Sequence, residues 1–112
     1  MAVYLKIDVH GKEKLHPILW KLFFFFIAKK FDEKGKDVHV TSIGEDVHMI
    51  GSLHYAGKAI DFLREGFIKR DIRVWINEFC DIYGDKLKIK SMDFDLLEYP
   101  DKNIFHLELD PK

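Results

Sequence analysis

The chain has 112 residues, 47% of them hydrophobic and 33% charged, with 18 Lys and Arg against 19 Asp and Glu for a net charge of -1. That is the composition of one globular domain, residues 1–112. It excludes wholesale disorder, and without a basic excess a phosphate-tracking nucleic-acid binder is not expected. Cys80 is the only cysteine, so an internal disulfide, a four-cysteine zinc site and an iron–sulfur cluster are excluded.

Ala2 to Val9 carries Val3, Tyr4, Leu5 and Ile7 and reads as an edge strand. Ile18 to Ala28 is the most apolar stretch, interrupted by Lys21 and closed by Lys29 and Lys30. About 20 apolar residues are needed to cross a bilayer as a helix, so no membrane span is expected. Asp8 and Glu13 ahead of the run, and the lack of a small-residue cleavage site after it, set it apart from a secretory signal. The expectation is a buried helix with Pro17 in its first turn and Gly35 closing its C-terminus beyond Lys34. Apolar residues take nearly the whole circumference from Leu22 to Ala28, which predicts a central position against a sheet.

Val38 to Ile43 reads as a strand, with Val38, Val40 and Ser42 on one face and His39, Thr41 and Ile43 on the other. Gly44 to Gly57 is a loop, and Ala59 to Leu63 a third strand. Asp71 is placed to cap a helix running to about Tyr83, with Ile72, Trp75, Ile76, Phe79 and Tyr83 at helical spacing and Gly84 as its stop. Leu87 and Ile89 alternate with Lys86, Lys88 and Lys90 in a half-exposed strand. Met92 to Tyr99, ending at Pro100, and Ile104 to Leu109 complete the series. The order β-α-β-β-α-β-β-β predicts an α+β domain, helices packed on a small, largely antiparallel sheet.

Chemistry concentrates in two segments, Ser52-Leu53-His54-Tyr55-Ala56-Gly57-Lys58-Ala59-Ile60-Asp61-Phe62 and Ile104-Phe105-His106-Leu107-Glu108-Leu109. On the last strand Phe105, Leu107 and Leu109 take one face, Ile104, His106 and Glu108 the other. With Ile60 and Phe62 in the core, Asp61 turns outward, and pairing of the two strands brings it to the face of His106. His54 arrives from the loop; Gly57 permits close backbone approach and Ala59 leaves room. Two imidazoles and a carboxylate suit Zn²⁺, and three protein ligands leave a fourth position for water, the arrangement of a catalytic zinc.

The pattern Ser-x-His-x-x-Gly-x-Ala-x-Asp with a later His in an apolar strand resembles the zinc D-alanyl-D-alanine carboxypeptidase family. That family includes phage endolysin peptidases and shares its fold with the hedgehog signalling domain. Val40-Thr41-Ser42-Ile43 is similar to the strand that leads into the motif, and Phe105-His106-Leu107-Glu108-Leu109-Asp110-Pro111 to the close of small phage-type members. The resemblance spans residues 38 to 112. It implies zinc on His54, Asp61 and His106 and cleavage of peptide bonds in peptidoglycan stem peptides. It points to a phage-encoded enzyme acting at the bacterial cell wall; the segment ahead of the apolar run, with no signal peptide, adds the expectation that the chain is made in the cytoplasm, and a monomer is expected. Ser52 is a candidate substrate contact, and Tyr55 either lines a substrate cleft or covers the loop.

Two positions depart from the pattern. Family members carry a general-base carboxylate three residues before the last zinc His, where this chain has Asn103. They also carry an Arg shortly after the Thr-Ser strand, where this chain reads Gly44-Glu45-Asp46. Glu98 and Glu108 are the candidate replacement bases; Glu98 is favoured, because Glu108 can instead orient His106. His48 is the candidate donor in place of the Arg. The departures leave a second expectation open, a catalytically inactive zinc-binding structural or binding module of the same fold.

Overall fold

The structure, a computed structural model, describes residues 3–5, 15–43 and 58–110. Five strands form one sheet: β1 (Val3–Leu5), β2 (Val38–Ile43), β3 (Ala59–Leu63), β4 (Phe94–Tyr99) and β5 (Ile104–Leu109), in the order β1-β2-β3-β5-β4. β1 runs parallel to β2 at one edge, and the other three pairings, β2–β3, β3–β5 and β5–β4, are antiparallel. The α+β class and the largely antiparallel sheet are as the sequence predicts. The strand expected at Ala2 to Val9 is described only at Val3–Leu5.

The long apolar run is helical from Pro17 to Glu33 in three parts: α1 (Pro17–Trp20), a π-helical segment (Lys21–Ile27) and α2 (Ala28–Glu33). Leu15, Leu19, Phe23, Ile27 and Phe31, all buried, recur every four residues. An α-helix with 3.6 residues per turn drifts by about 40° over each such step. The wider i→i+5 turn offsets that drift and holds the stripe on the core. Burial is one-sided: Phe25 is 68% exposed and Trp20 also reaches solvent, so the helix is not enclosed all round as its composition suggested. At its end Gly35 adopts φ 72°, with Lys36 N–H donating to Phe31 O at 2.9 Å and Gly35 N–H to Asp32 O at 2.9 Å. This is the expected left-handed glycine close.

The second long helix, α3, spans Lys69–Leu87, starting earlier and ending later than its apolar spacing indicates. Asp71 serves as a cap, but from inside the first turn: its Oδ2 accepts from the Ile68 N–H at 3.0 Å. Gly84 lies within the helix, not at its end. A Cβ there would stand 2.9 Å from the Ile89 carbonyl oxygen, so the glycine admits the returning backbone. Lys88, at φ 57°, turns the chain instead. The strand expected around Leu87 and Ile89 is absent: Leu87 ends the helix and Ile89 is buried below it.

The core lies between the helices and one face of the sheet. Phe62 is its centre, its ring 4.8 Å from that of Phe23, 5.7 Å from Phe105 and 6.1 Å from Phe31. Val40 pairs with Phe62, but Ser42 pairs with Asp61 and Ile43 with Ile60, a register shift that leaves one extra residue on β2. The bulge corrects the simple alternation: Ile43 joins Val38 and Val40 in the core, and Ser42 crosses to the opposite face beside Asp61. No helix among the described residues is long and apolar enough to cross a membrane.

Candidate functional site

The face of the sheet turned away from the helices carries the polar cluster. β3 and β5 pair with Ala59 opposite Glu108, Asp61 opposite His106 and Leu63 opposite Ile104. Directly opposed residues of an antiparallel pair share a face. Since Ile60, Phe62, Phe105 and Leu107 fill the core, Asp61, His106 and Glu108 stand together on the other side.

His106 is held at both ring nitrogens. Nδ1 lies 2.6 Å from Asp61 Oδ1, and Nε2 lies 2.5 Å from Glu108 Oε1. Carboxylate oxygens are acceptors, so the two contacts together favour the doubly protonated ring, which donates from both nitrogens. Burial by itself pulls His106 down, but the hydrogen bonds and charges of Asp61 and Glu108 outweigh it and hold the group above its ordinary 6.5. The His106 side chain is 8% exposed and that of Asp61 13%, so water screens this contact little. Ser42, buried, adjoins Asp61 on β2, and the Tyr99 ring meets the imidazole edge-on at 6.2 Å between centroids.

The structure separates the two candidate bases. On β4, Phe94, Leu96 and Glu98 oppose Leu109, Leu107 and Phe105, the core-facing residues of β5. Glu98 is therefore on the helix side of the sheet, where its Oε2 pairs with Arg64 at 3.1 Å. It does not join His106, and the preference for it over Glu108 is not carried by the geometry. Asn103 has φ 58° and ends the β4–β5 connection. Its side-chain oxygen accepts from Arg64 Nε at 3.1 Å and its carbonyl from the Arg64 N–H at 3.0 Å. Left-handed backbone suits Asn, so the residue in the family's carboxylate slot is a turn residue clasped by Arg64.

His48, Ser52, His54 and Tyr55 lie outside the described residues. Three further residues adjoin the cluster that sequence reading did not single out: Asp95, Leu97 and Tyr99, opposite Glu108, His106 and Ile104. Their signal was present in the alternation of β4, because placing Phe94 and Leu96 inward turns these three outward.

The donor set has the chemistry for zinc, one imidazole in direct contact with carboxylate, but two ligands do not hold an ion. Among the described residues no group of three His, Cys, Asp or Glu side chains is placed to bind a metal. The reason is geometric: Asp61 and Glu108 sit on opposite nitrogens of one ring and do not converge. Any third ligand to a site built on Asp61 and His106 lies outside the described residues, where the sequence expectation places His54.

The protein is thus an α+β domain with a histidine–dicarboxylate cluster on the face of its sheet opposite the helices. Comparison with known proteins finds no matching family model, no matching curated protein and no matching solved structure.

Proposed function

We propose that the chain is a zinc-dependent peptidase of the D-alanyl-D-alanine carboxypeptidase and endolysin type, with the hedgehog/DD-peptidase fold, acting on peptidoglycan stem peptides. One observation carries the reading: the Asp and the distant His of the motif are cross-strand partners with their side chains in contact. Nothing in the composition requires two residues 45 positions apart to meet on one face.

His54, Asp61 and His106 would hold the ion. Bound zinc supplies Lewis acidity and lowers the pKa of a coordinated water. The chain's own residues do the rest. Asp61 and His106 would be two of the ligands, and the Nε2 contact with Glu108 would orient the ring. A carboxylate on the outer nitrogen of a metal-binding histidine fixes its tautomer and orientation. Of the two carboxylates the sequence offered, only Glu108 shares the face, so proton handling is assigned to it along with that orienting contact. Ser42 is placed to position Asp61 from the other side.

The second reading, a zinc-holding module without turnover, is favoured by Asn103 and by the engagement of Glu108 with His106. Zinc analysis and muropeptide digestion separate the two. The peptidase reading expects about one zinc per chain, product release, and loss of both in His106→Ala; Glu108→Gln keeps the metal and loses turnover. Stoichiometric zinc with no cleavage of any muropeptide leaves the module. A chain that takes up no zinc when supplied with it overturns both.

A further inference from the structure

We propose that the groove between the first long helix and α3 binds a free alkyl carboxylate, its head on Lys21 and Lys86 and its chain along Phe25, Phe26, Phe79 and Tyr83. The site lies in the helical layer, with the sheet between it and His106, and does not depend on the zinc-peptidase reading.

Three contacts give the pairing of the two helices. Lys30 Nζ reaches Glu78 Oε2 at 3.0 Å, the Phe26 and Phe79 rings stand 5.6 Å apart, and Lys21 lines one cavity with Lys86. Residue numbers rise along one helix as they fall along the other, so the helices are antiparallel and the groove has two distinct ends. One end is closed by the Lys30–Glu78 bridge, whose ammonium also lies 5.4 Å from the centre of the Phe26 ring. From there the groove opens into a cavity of about 380 Å³, walled by Phe25 and Phe26 on one side and Phe79 and Tyr83 on the other. That volume falls among those of small-molecule pockets. The Phe79 ring is buried and meets Tyr83 at 5.1 Å, so this wall is held from the core side. Phe25 and Tyr83 themselves are exposed, apolar surface that gains from whatever covers it.

The open end is cationic and locally uncompensated. Among the described residues neither Lys21 nor Lys86 forms an ion pair. No acidic residue stands three or four positions from either along its helix, and Asp85, next to Lys86 in the chain, does not share its direction. An apolar trough with two ammonium groups at its mouth complements a molecule divided in the same way, a single anion on a hydrocarbon chain. Lys30 and Glu78 are engaged with each other, so the far end suits a methyl terminus rather than a second charge. A free chain fits better than a bilayer surface, because the apolar area is concave and walled by two helices, and takes one molecule at a time.

The test is calorimetric titration of the full chain as purified. From butanoate through hexanoate to octanoate, Kd should fall by about two- to fourfold for each methylene added, the gain from covering hydrocarbon in a half-open groove. Octanoate should bind about fivefold tighter than octanol, and octylammonium weaker than either. Lys21→Glu combined with Lys86→Glu should reverse that order. Phe25→Ser, at an exposed position, should flatten the chain-length series and keep the wild-type melting temperature. Octanoate that binds no tighter than octanol overturns the proposal, as does a head-group order that survives the lysine reversal. Affinity that ignores chain length also overturns it, being the mark of an anion on surface lysines. The chain-length and head-group series are read on the unaltered protein and decide the matter even where a variant loses its fold. Sedimentation with phosphatidylglycerol vesicles separates the free acid from a membrane. Protein that stays in solution while binding octanoate supports the proposal; Phe25-dependent pelleting that octanoate does not displace makes the face a membrane contact and overturns it.

Discussion

Replacing Asp61 by Asn tests the cluster without metal. The substitution keeps the shape and an acceptor oxygen but removes the charge beside the His106 ring. A hydrogen bond to a charged partner contributes about 1.5–3 kcal/mol net, and Asp61 is too enclosed for solvent to screen much of it. Because the amide still accepts, a loss of about 1–2 kcal/mol is expected at pH 6. With urea slopes of about 1–3 kcal/mol per molar for small domains, the unfolding midpoint should fall by roughly 1 M. The pH dependence is the sharper measurement. His106 is held above its ordinary 6.5 in the folded chain, so its charge stabilises the fold fully below 6.5. That contribution disappears as pH rises through the folded value. The gap between wild type and Asp61→Asn, measured in chelator, should therefore be widest at pH 6 and narrow towards pH 9. His16 titrates in both proteins and cancels in the difference. A gap that is constant or widens with pH would falsify the imidazolium–carboxylate assignment.

Three other perturbations report on the rest of the molecule. Gly84→Ala should lower the melting temperature, since its Cβ meets the Ile89 carbonyl at 2.9 Å; overpacking of about 1–3 kcal/mol exceeds the helix-propensity gain of roughly 1 kcal/mol, and a higher melting temperature refutes the close-approach argument. His16 caps α1 by accepting from the Ile18 N–H at 3.2 Å through Nδ1. Burial, then the charge of Lys58, holds it below 6.5, so the cap's contribution is complete above 6.5 and lost as pH falls through the folded value. His16→Asn, which accepts without titrating, should spare about 1 kcal/mol of the stability lost between pH 7 and pH 5, and equal acid sensitivity in the two proteins rejects the cap. Cys80 is pushed up by burial and then by Asp81 and Asp93, against Arg73. At pH 8 its alkylation should run several-fold slower in the folded chain than in urea, and equal rates contradict the shift.

The site was legible where local alternation and strand pairing agreed. β3 and β5 each place apolar residues at every second position, so one assumption, that they pair, brings Asp61 to His106. β4 was equally regular, yet Glu98 was read by its nearness to the site in the chain rather than by its phase. It shares the parity of Phe94 and Leu96, and that parity sends it to the other face. The bulge on β2 was not legible, because Val-Thr-Ser-Ile alternates acceptably without it. Only the partner strand shows that Ile43, not Ser42, continues the core row. Gly84 misled for a related reason: a glycine after an apolar helical stretch is a common stop, and the backbone that needs its missing Cβ comes from residues beyond the helix.

The placement of the cluster follows from the core. A slip of one residue between β3 and β5 leaves Asp61 opposite a neighbour of His106 on the wrong face, and to restore the match one strand must turn over. Turning β3 over would bury Asp61 and expose Ile60 and Phe62, two fully buried side chains. Burial of a large apolar side chain is favourable by about 1.5–3 kcal/mol, and an unpaired buried carboxylate costs more than that again. The slipped arrangement is thus disfavoured by several kcal/mol before any contact of the site is counted. Phe62 carries most of this selection, since its ring meets Phe23 and Phe31 from the helical layer and Phe105 from β5. The side chain that fixes the register through these contacts is the next residue in the chain after Asp61, and Phe105 precedes His106 in the same way. Core and site are therefore written into adjacent positions of the same two strands, so the fold cannot form its centre without also bringing the carboxylate to the histidine.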